Sequence, residues 1–270
     1  MNASIVAACL LLAQDPTGSA SAAAQPPATT PYVQVVLKAA NDATSALRSV
    51  RYEAVIEGTG ALAVNNAVTE GTVILEKIEG SLPNVHVEGV WRHVKDLAVD
   101  VRHFAGAIHN NVVRRIDHTE KLVVNGGGGL RSLGRGAALV LSEFDHPAPF
   151  QDEIDSGGAT LEGRGFVHDV LCDVVLVEYG RGRRARWYFG ADDHLPRRVE
   201  RLRDVEGEPG AIVTTLRNLA ADVEISGEPF ELPTPEGYAV KRAAPGSGIG
   251  GISAQRVPDR NDRDDNGGGR

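Results

Sequence analysis

The sequence predicts a mainly β protein: one large curved antiparallel sheet of about ten or eleven strands, with one helix before it and another interrupting it. Three observations predict this. Apolar and polar residues alternate with a period of two through most of the chain between residues 32 and 242. The polar breaks between these runs are short, so neighbours in sequence become antiparallel neighbours in space. Helical spacing extends over only two long stretches.

The first stretch is Tyr32–Val50, where Val33, Val36, Leu37, Ala40, Leu47 and Val50 recur on one face and Asn41, Asp42 and Arg48 lie off it. Strands follow. In Tyr52–Ile56 the residues Tyr52, Ala54 and Ile56 point one way, and Arg51, Glu53 and Glu57 the other. Thr72–Ile78 is next, and then Val85, Val87 and Trp91 alternate with His86, Glu88 and Arg92. Leu97–Phe104, Ile108–Ile116 and Lys121–Val124 complete the first block, divided at Gly106 and at Asp117-His118-Thr119. Gly126–Gly129 stops the sheet. The second helical stretch places Leu130, Leu133, Ala137, Leu141 and Phe144 on one face and ends at His146-Pro147. A short helical turn over Phe150–Ile154 leads to a second β block, which closes with a long strand near Ala211–Ile225.

At 270 residues with unfolded-looking ends, the chain holds one domain of roughly 200 residues, expected over 32–242. With 5% aromatic residues, Val, Ile, Leu and Ala must do most of the packing. A net charge of −8 and no long basic run exclude a typical nucleic-acid binder. Ala3–Ala13 has the length of a signal-peptide apolar region, with small-residue sites at Ala20-Ser21-Ala22 and Ala22-Ala23-Ala24, but without a basic start. Residues 1–31 therefore read as a signal-like segment and a disordered linker, and 243–270 as a disordered tail. An exported, periplasmic or envelope-associated protein is expected. Val6-Ala7-Ala8-Cys9 also has the form of a lipoprotein box, so a lipid anchor at Cys9 is the other reading of this end. Cys172 alternates with apolar neighbours and reads as a buried structural thiol.

No catalytic constellation emerges. The histidines form no His-x-x-x-His pair, and Asp192-Asp193-His194 sits in a turn, where Asp bonds the local backbone. Gly126–Gly129 lacks the Lys-Ser/Thr of a nucleotide loop. The expectation is no enzyme, no metal and no cofactor. Arginines are the one concentration of charge. Arg184 and Arg186 lie on one arm of an expected hairpin and Arg198 and Arg201 on the other, so pairing the arms would gather a patch. That patch could meet lipid head groups, a membrane surface or an acidic partner; a solvated face tied by Glu200, Asp204 and Glu206 is the plainer reading.

Three runs carry a family resemblance: Gly165–Val174; Arg186-Trp187-Tyr188-Phe189 entering an Asp-x-x-Leu-Pro turn from Asp192 to Pro196; and Phe230-Glu231-Leu232-Pro233-Thr234-Pro235-Glu236-Gly237-Tyr238 near the end. Over residues 32–242 the chain resembles the bacterial outer-membrane lipoprotein-carrier superfamily, Lol-type carriers and related periplasmic proteins. The resemblance implies a half-barrel wrapped around apolar space, with Leu130–Phe144 as a lid helix and Gly126–Gly129 as its hinge. It further implies a non-enzymatic carrier holding lipid, lipoprotein acyl chains or another apolar ligand. The cavity and lid would then be lined by Leu130, Leu133, Ala137, Leu141, Phe144, Val85, Val87, Trp91 and Trp187. The alternative within the same fold is a periplasmic sensor or protein-interaction module. The chain departs from the carriers in its long polar tail, its low aromatic content and its His- and Arg-rich fourth and fifth strands.

Overall fold

The computed structural model describes residues 31–63, 67–95 and 98–243. The signal-like segment, Cys9, the linker to Thr30 and the tail from Ala244 onward lie outside the described residues.

Helix α1 spans Pro31–Ala46 and buries Val33, Val36, Leu37 and Ala40. It stops before the expected Val50, because Val50 is claimed by the first strand, where it is buried opposite Leu75. The Lys77 ammonium caps the helix by donating to the Thr44 and Ser45 carbonyls, which have no partner within the helix.

Six strands follow: β1 Ser49–Gly60, β2 Val68–Glu76, β3 Asn84–Lys95, β4 Ala98–His109, β5 Val112–Asp117 and β6 Leu122–Gly127. After a largely irregular stretch come α2 Gln151–Asp155, β7 Ala159–Val167, β8 Val170–Glu178, β9 Arg184–Gly190, β10 Pro196–Val205, β11 Glu208–Ala221 and β12 Ala239–Arg242. All belong to one twelve-stranded sheet in the order β12-β6-β5-β4-β3-β2-β1-β11-β10-β9-β8-β7, with β12 and β7 at its two open edges. Two antiparallel meanders thus meet where β1 pairs with β11.

Four details differ from expectation. Gly106 does not divide two strands but runs inside β4, opposite Val87; the chain reverses instead at Asn110-Asn111, both at positive φ as a two-residue hairpin requires. Strand β6 continues through Gly126 and Gly127. The last long strand ends at Ala221 rather than Ile225, where the Asp222 amide turns to the Ser49 carbonyl. The twelfth strand, β12, was not expected: four exposed residues pair parallel to β6. Their pattern carries no burial signal, so only the neighbouring edge makes them a strand.

The mid-chain helix is also different in kind. Leu130–Ala138 and Ser142–Phe144 are two 3-10 segments, and the first is broken at Gly134 (φ 65°, ψ −126°). Four glycines within Gly128–Gly136 leave too little helix propensity for a continuous α-helix.

Cross-strand partners share a face, so the register sorts the side chains. Val50, Tyr52 and Ala54 of β1 share one face with Leu75, Val73 and Gly71 of β2 and with Val85 and Val87 of β3. This face carries the main core and is covered by α1, α2 and the two 3-10 segments. The opposite face is covered locally: Ala105, Ile116 and Val123 pack under Leu232 and Tyr238 of the segment after β11. Tyr238 Oη lies 3.0 Å from His118 Nδ1, and Arg114 donates to the Thr234 hydroxyl. The carrier-like ending Phe230–Tyr238 is therefore a strap that leads the chain to β6.

Close approach fixes two glycines. A Cβ at Gly136 would stand 2.6 Å from Val87 Cγ1, and one at Gly71 would stand 2.1 Å from the Glu88 carbonyl oxygen of β3 and 2.9 Å from Leu139 Cδ1 of the roof. Gly136→Ala should therefore cost about 1–3 kcal/mol from overpacking, read by urea denaturation. The double variant Gly136→Ala/Val87→Ala should recover part of that loss. Equal stability of wild type and Gly136→Ala would show that the roof does not press on β3.

Candidate functional site

The residues expected to line a cavity come together on the covered face. Val85, Val87 and Trp91 of β3 lie on it by parity, and Trp187 of β9 joins them at the far end. Leu133, Leu141 and Phe144 descend from the roof and are buried, while Leu130, Ala137 and Trp91 are partly buried against the same core. Their own side chains occupy the space between roof and sheet. The roof is thus packed down on an aliphatic floor of Val73, Leu75, Val85 and Val87.

One polar group fastens it. Tyr52, fully buried on β1, donates its hydroxyl to the Leu139 carbonyl at 3.1 Å and accepts from the Leu141 amide at 2.9 Å. Its ring lies 5.4 Å from that of Phe144. Burial pushes the phenol far above its ordinary pKa, so the hydroxyl keeps its proton. Nothing in the period-two pattern singled Tyr52 out; an aromatic with a polar tip on an inward strand face was the available signal.

Beyond Phe144 the roof leaves a cleft of about 740 Å³ over β9 and β10. Trp187 forms part of its wall, within an aromatic cluster in which the Phe150 ring stands edge-on to Trp187 at 5.1 Å and to Phe189 at 4.9 Å. Glu153 of α2 is the buried acid of this cleft. It accepts a 2.6 Å hydrogen bond from Tyr179 Oη, which in turn accepts from Trp187 Nε1 at 3.3 Å. Burial pushes the Glu153 carboxyl above the usual glutamate range, although the Tyr179 bond opposes this. Tyr179 is pushed well upward, first by its own burial and then by the Glu153 charge. Sequence reading missed both residues, since a lone Glu in a five-residue helix carries no local signal.

The expected arginine patch is divided. The β9–β10 register places Ala185 opposite Arg201 and Trp187 opposite Val199, on the covered face. Arg184, Arg186 and Arg198 therefore lie on the other face, because successive strand residues alternate. There Arg186 pairs with Glu162 and Glu200, Arg198 pairs with Glu200, and Arg184 lies 3.5 Å from Asp204. Arg201 instead reaches Glu143 of the roof at 3.6 Å. All four arginines thus face acids, with Arg186 and Arg198 sharing Glu200. Asp193 is spent on the turn itself: it accepts from the Leu195 amide and pairs with Arg197.

No protein-family model and no curated protein matches the chain. Among solved structures it is similar to LprF from Mycobacterium bovis, with 14% identity over 77% of this chain and 100% of that chain and a TM-score of 0.49. It is similar to the Mycobacterium tuberculosis lipoprotein LppX at 13% identity, over 73% and 99% of the two chains, with a TM-score of 0.44. A LolA-superfamily protein from Nitrosomonas europaea matches at 11% identity over 74% and 97%, with a TM-score of 0.32. The last is named as a member of the superfamily that the sequence resembles.

The raised Glu153 carboxyl has a pH consequence. A carboxyl with a higher pKa in the folded than in the unfolded chain supports folding while both are protonated. That support is lost as pH rises from the ordinary value of 4.5 through the folded value. Glu153→Gln should therefore be more stable than wild type at neutral pH, and the difference should shrink on acidification toward pH 4.5. Thermal melts across that range check this; a difference that grows in acid would reverse the assignment.

Proposed function

We propose that this protein is an exported, non-enzymatic carrier that holds an apolar ligand, a lipid or lipoprotein acyl chains, between the sheet and its roof. The observation that carries the reading is the roof's construction. A twelve-stranded open sheet presents a continuous aliphatic face, and what covers its middle is two short 3-10 segments rather than a helix. Short 3-10 pieces hold few internal hydrogen bonds, so the roof owes its position to Tyr52 and to side-chain packing. Acyl methylenes can replace Leu133, Leu139, Leu141 and Phe144 on the floor, at about 0.8 kcal/mol of burial each. An aliphatic floor selects for length and apolarity and leaves head-group choice to the polar margins.

The interaction-module alternative would use Arg184, Arg186 and Arg198, and on their face these arginines are already paired with Glu162, Glu200 and Asp204. The carrier reading is therefore preferred.

Solvent extraction of natively purified protein followed by mass spectrometry should release stoichiometric lipid. A fluorescent fatty acid should bind the stripped protein and be displaced by that extract. Tyr52→Phe should increase the rate of uptake while costing about 2 kcal/mol or more in stability, since two buried backbone groups lose their partner. A stripped protein that takes up no fatty acid, and a native preparation that contains no lipid, would sink the proposal.

A further inference from the structure

The roof's other end encloses a second cavity, of about 280 Å³, at the β4–β6 side of the covered face. Its lining includes Trp91, Arg115, Asp117, Leu133, Gly134 and Arg135. Arg115 and Asp117 reach it because they pair with Gly106 and Phe104, which share the face of Ile108. Arg135 comes down from the roof: its guanidinium carbon lies 4.9 Å from the centre of the Trp91 ring. The Gly134 kink brings the roof backbone onto Arg115, and a Cβ there would stand 3.0 Å from Arg115 Nη1.

Hydrogen-bond donors outnumber acceptors in this cavity. The single carboxylate is Asp117. Its Oδ1 already accepts from the Thr119 and Glu120 amides, and its Oδ2 lies 3.6 Å from Arg135 Nη1. Among the described residues the Arg115 guanidinium makes no hydrogen bond or ion pair. Burial, and then the Arg135 charge, lower its pKa against the pull of Asp117. Trp91 Nε1 is buried and donates to no acceptor. One half-buried guanidinium with no hydrogen-bond partner and a second that reaches Asp117 only at 3.6 Å leave donor capacity on this cavity that acceptor oxygens would satisfy.

We infer that this cavity is a phosphate-binding site, in which Arg115 and Arg135 hold the anion beside the Trp91 ring. Two guanidiniums on one cavity match the several acceptor oxygens of a phosphate, and arginine is suited to bidentate contact with it. The phosphate could be free or the head group of a lipid; only the second source rests on the carrier reading. In that case the acyl chains would run from this margin under Leu133 toward Phe144.

The sequence has two tryptophans, so the 15N-labelled full chain shows two indole resonances, assigned with Trp91→Phe. The probes are inorganic phosphate, dihexanoyl phosphatidic acid and dihexanoyl glycerol. Phosphate-bearing probes should move the Trp91 resonance, and dihexanoyl glycerol should leave it in place. A response to inorganic phosphate as strong as to phosphatidic acid assigns the site to the free anion; a response to phosphatidic acid alone assigns it to a head group. Arg115→Gln and Arg135→Gln should each weaken the response roughly tenfold or more, the loss of a charge-assisted hydrogen bond. Arg184→Gln, on the opposite face, should not. A Trp91 resonance that neither phosphate probe moves overturns the site on the wild-type protein alone, whatever the variants do. Fatty-acid uptake that persists beside that silence leaves the carrier reading standing, and loss of uptake with a responsive Trp91 does the reverse.

Discussion

The Tyr52 hydroxyl is the interaction on which the rest of the structure depends. The roof crosses the middle of the sheet with few hydrogen bonds of its own. Between its two 3-10 segments, the Leu139 carbonyl and the Leu141 amide are buried where no water can serve them. One side-chain oxygen, donating to one and accepting from the other, satisfies both. Around that point, Gly136 over Val87 and Leu139 over Gly71 press the chain onto the sheet. Remove the hydroxyl and the same contacts remain, but two backbone groups lose their only partner.

The charges obey a different constraint, the period-two alternation of the sheet. Arg184, Arg186 and Arg198 stay on one face, where acids from adjacent strands meet them, and Arg201 alone is sent to the other. Arginines distant in sequence are brought together instead. Arg115 leaves β5 and Arg135 leaves the roof, and they line one cavity, Arg135 over the Trp91 ring, because all three lie toward the covered face. The apolar floor therefore ends in polar margins on both sides: Glu153, Tyr179 and Arg201 at the β9–β10 end, and Arg115, Arg135 and Trp91 at the β4–β6 end. Such an arrangement suits a ligand with a long apolar part and a polar end.

The segment after β11 completes the sheet from outside. Phe230–Tyr238 crosses the opposite face, packs on Ala105, Ile116 and Val123, and delivers β12 to the edge of β6. That edge is thereby paired rather than left open. The other edge, β7, carries a bulge between Leu161 and Gly163 and the charges Glu162 and Arg164, common devices against edge-to-edge pairing.

The sequence by itself determined what is local and periodic. Alternation in β1 and β3 was enough to assign strands and faces, and the stripe Val33–Ala40 was enough for α1, since burial of one face repeats at fixed spacing. It also placed Val85, Val87, Trp91, Leu133 and Phe144 on inward faces without saying whether they enclose a space or fill it. Boundaries failed where a neighbour decided them: Val50 joined β1 because Leu75 stood opposite, and Gly106 stayed in β4 because Val87 did. Only the tertiary structure decided the rest. The Leu130–Phe144 spacing fits a helix, yet glycines and the Tyr52 hydroxyl make it two 3-10 pieces. Likewise β12 exists only because β6 offers an edge, and the meeting of Arg115, Arg135 and Trp91 has no signature at any sequence spacing. Pairing across a sheet is set by non-local register, and a one-residue shift of register exchanges the two faces.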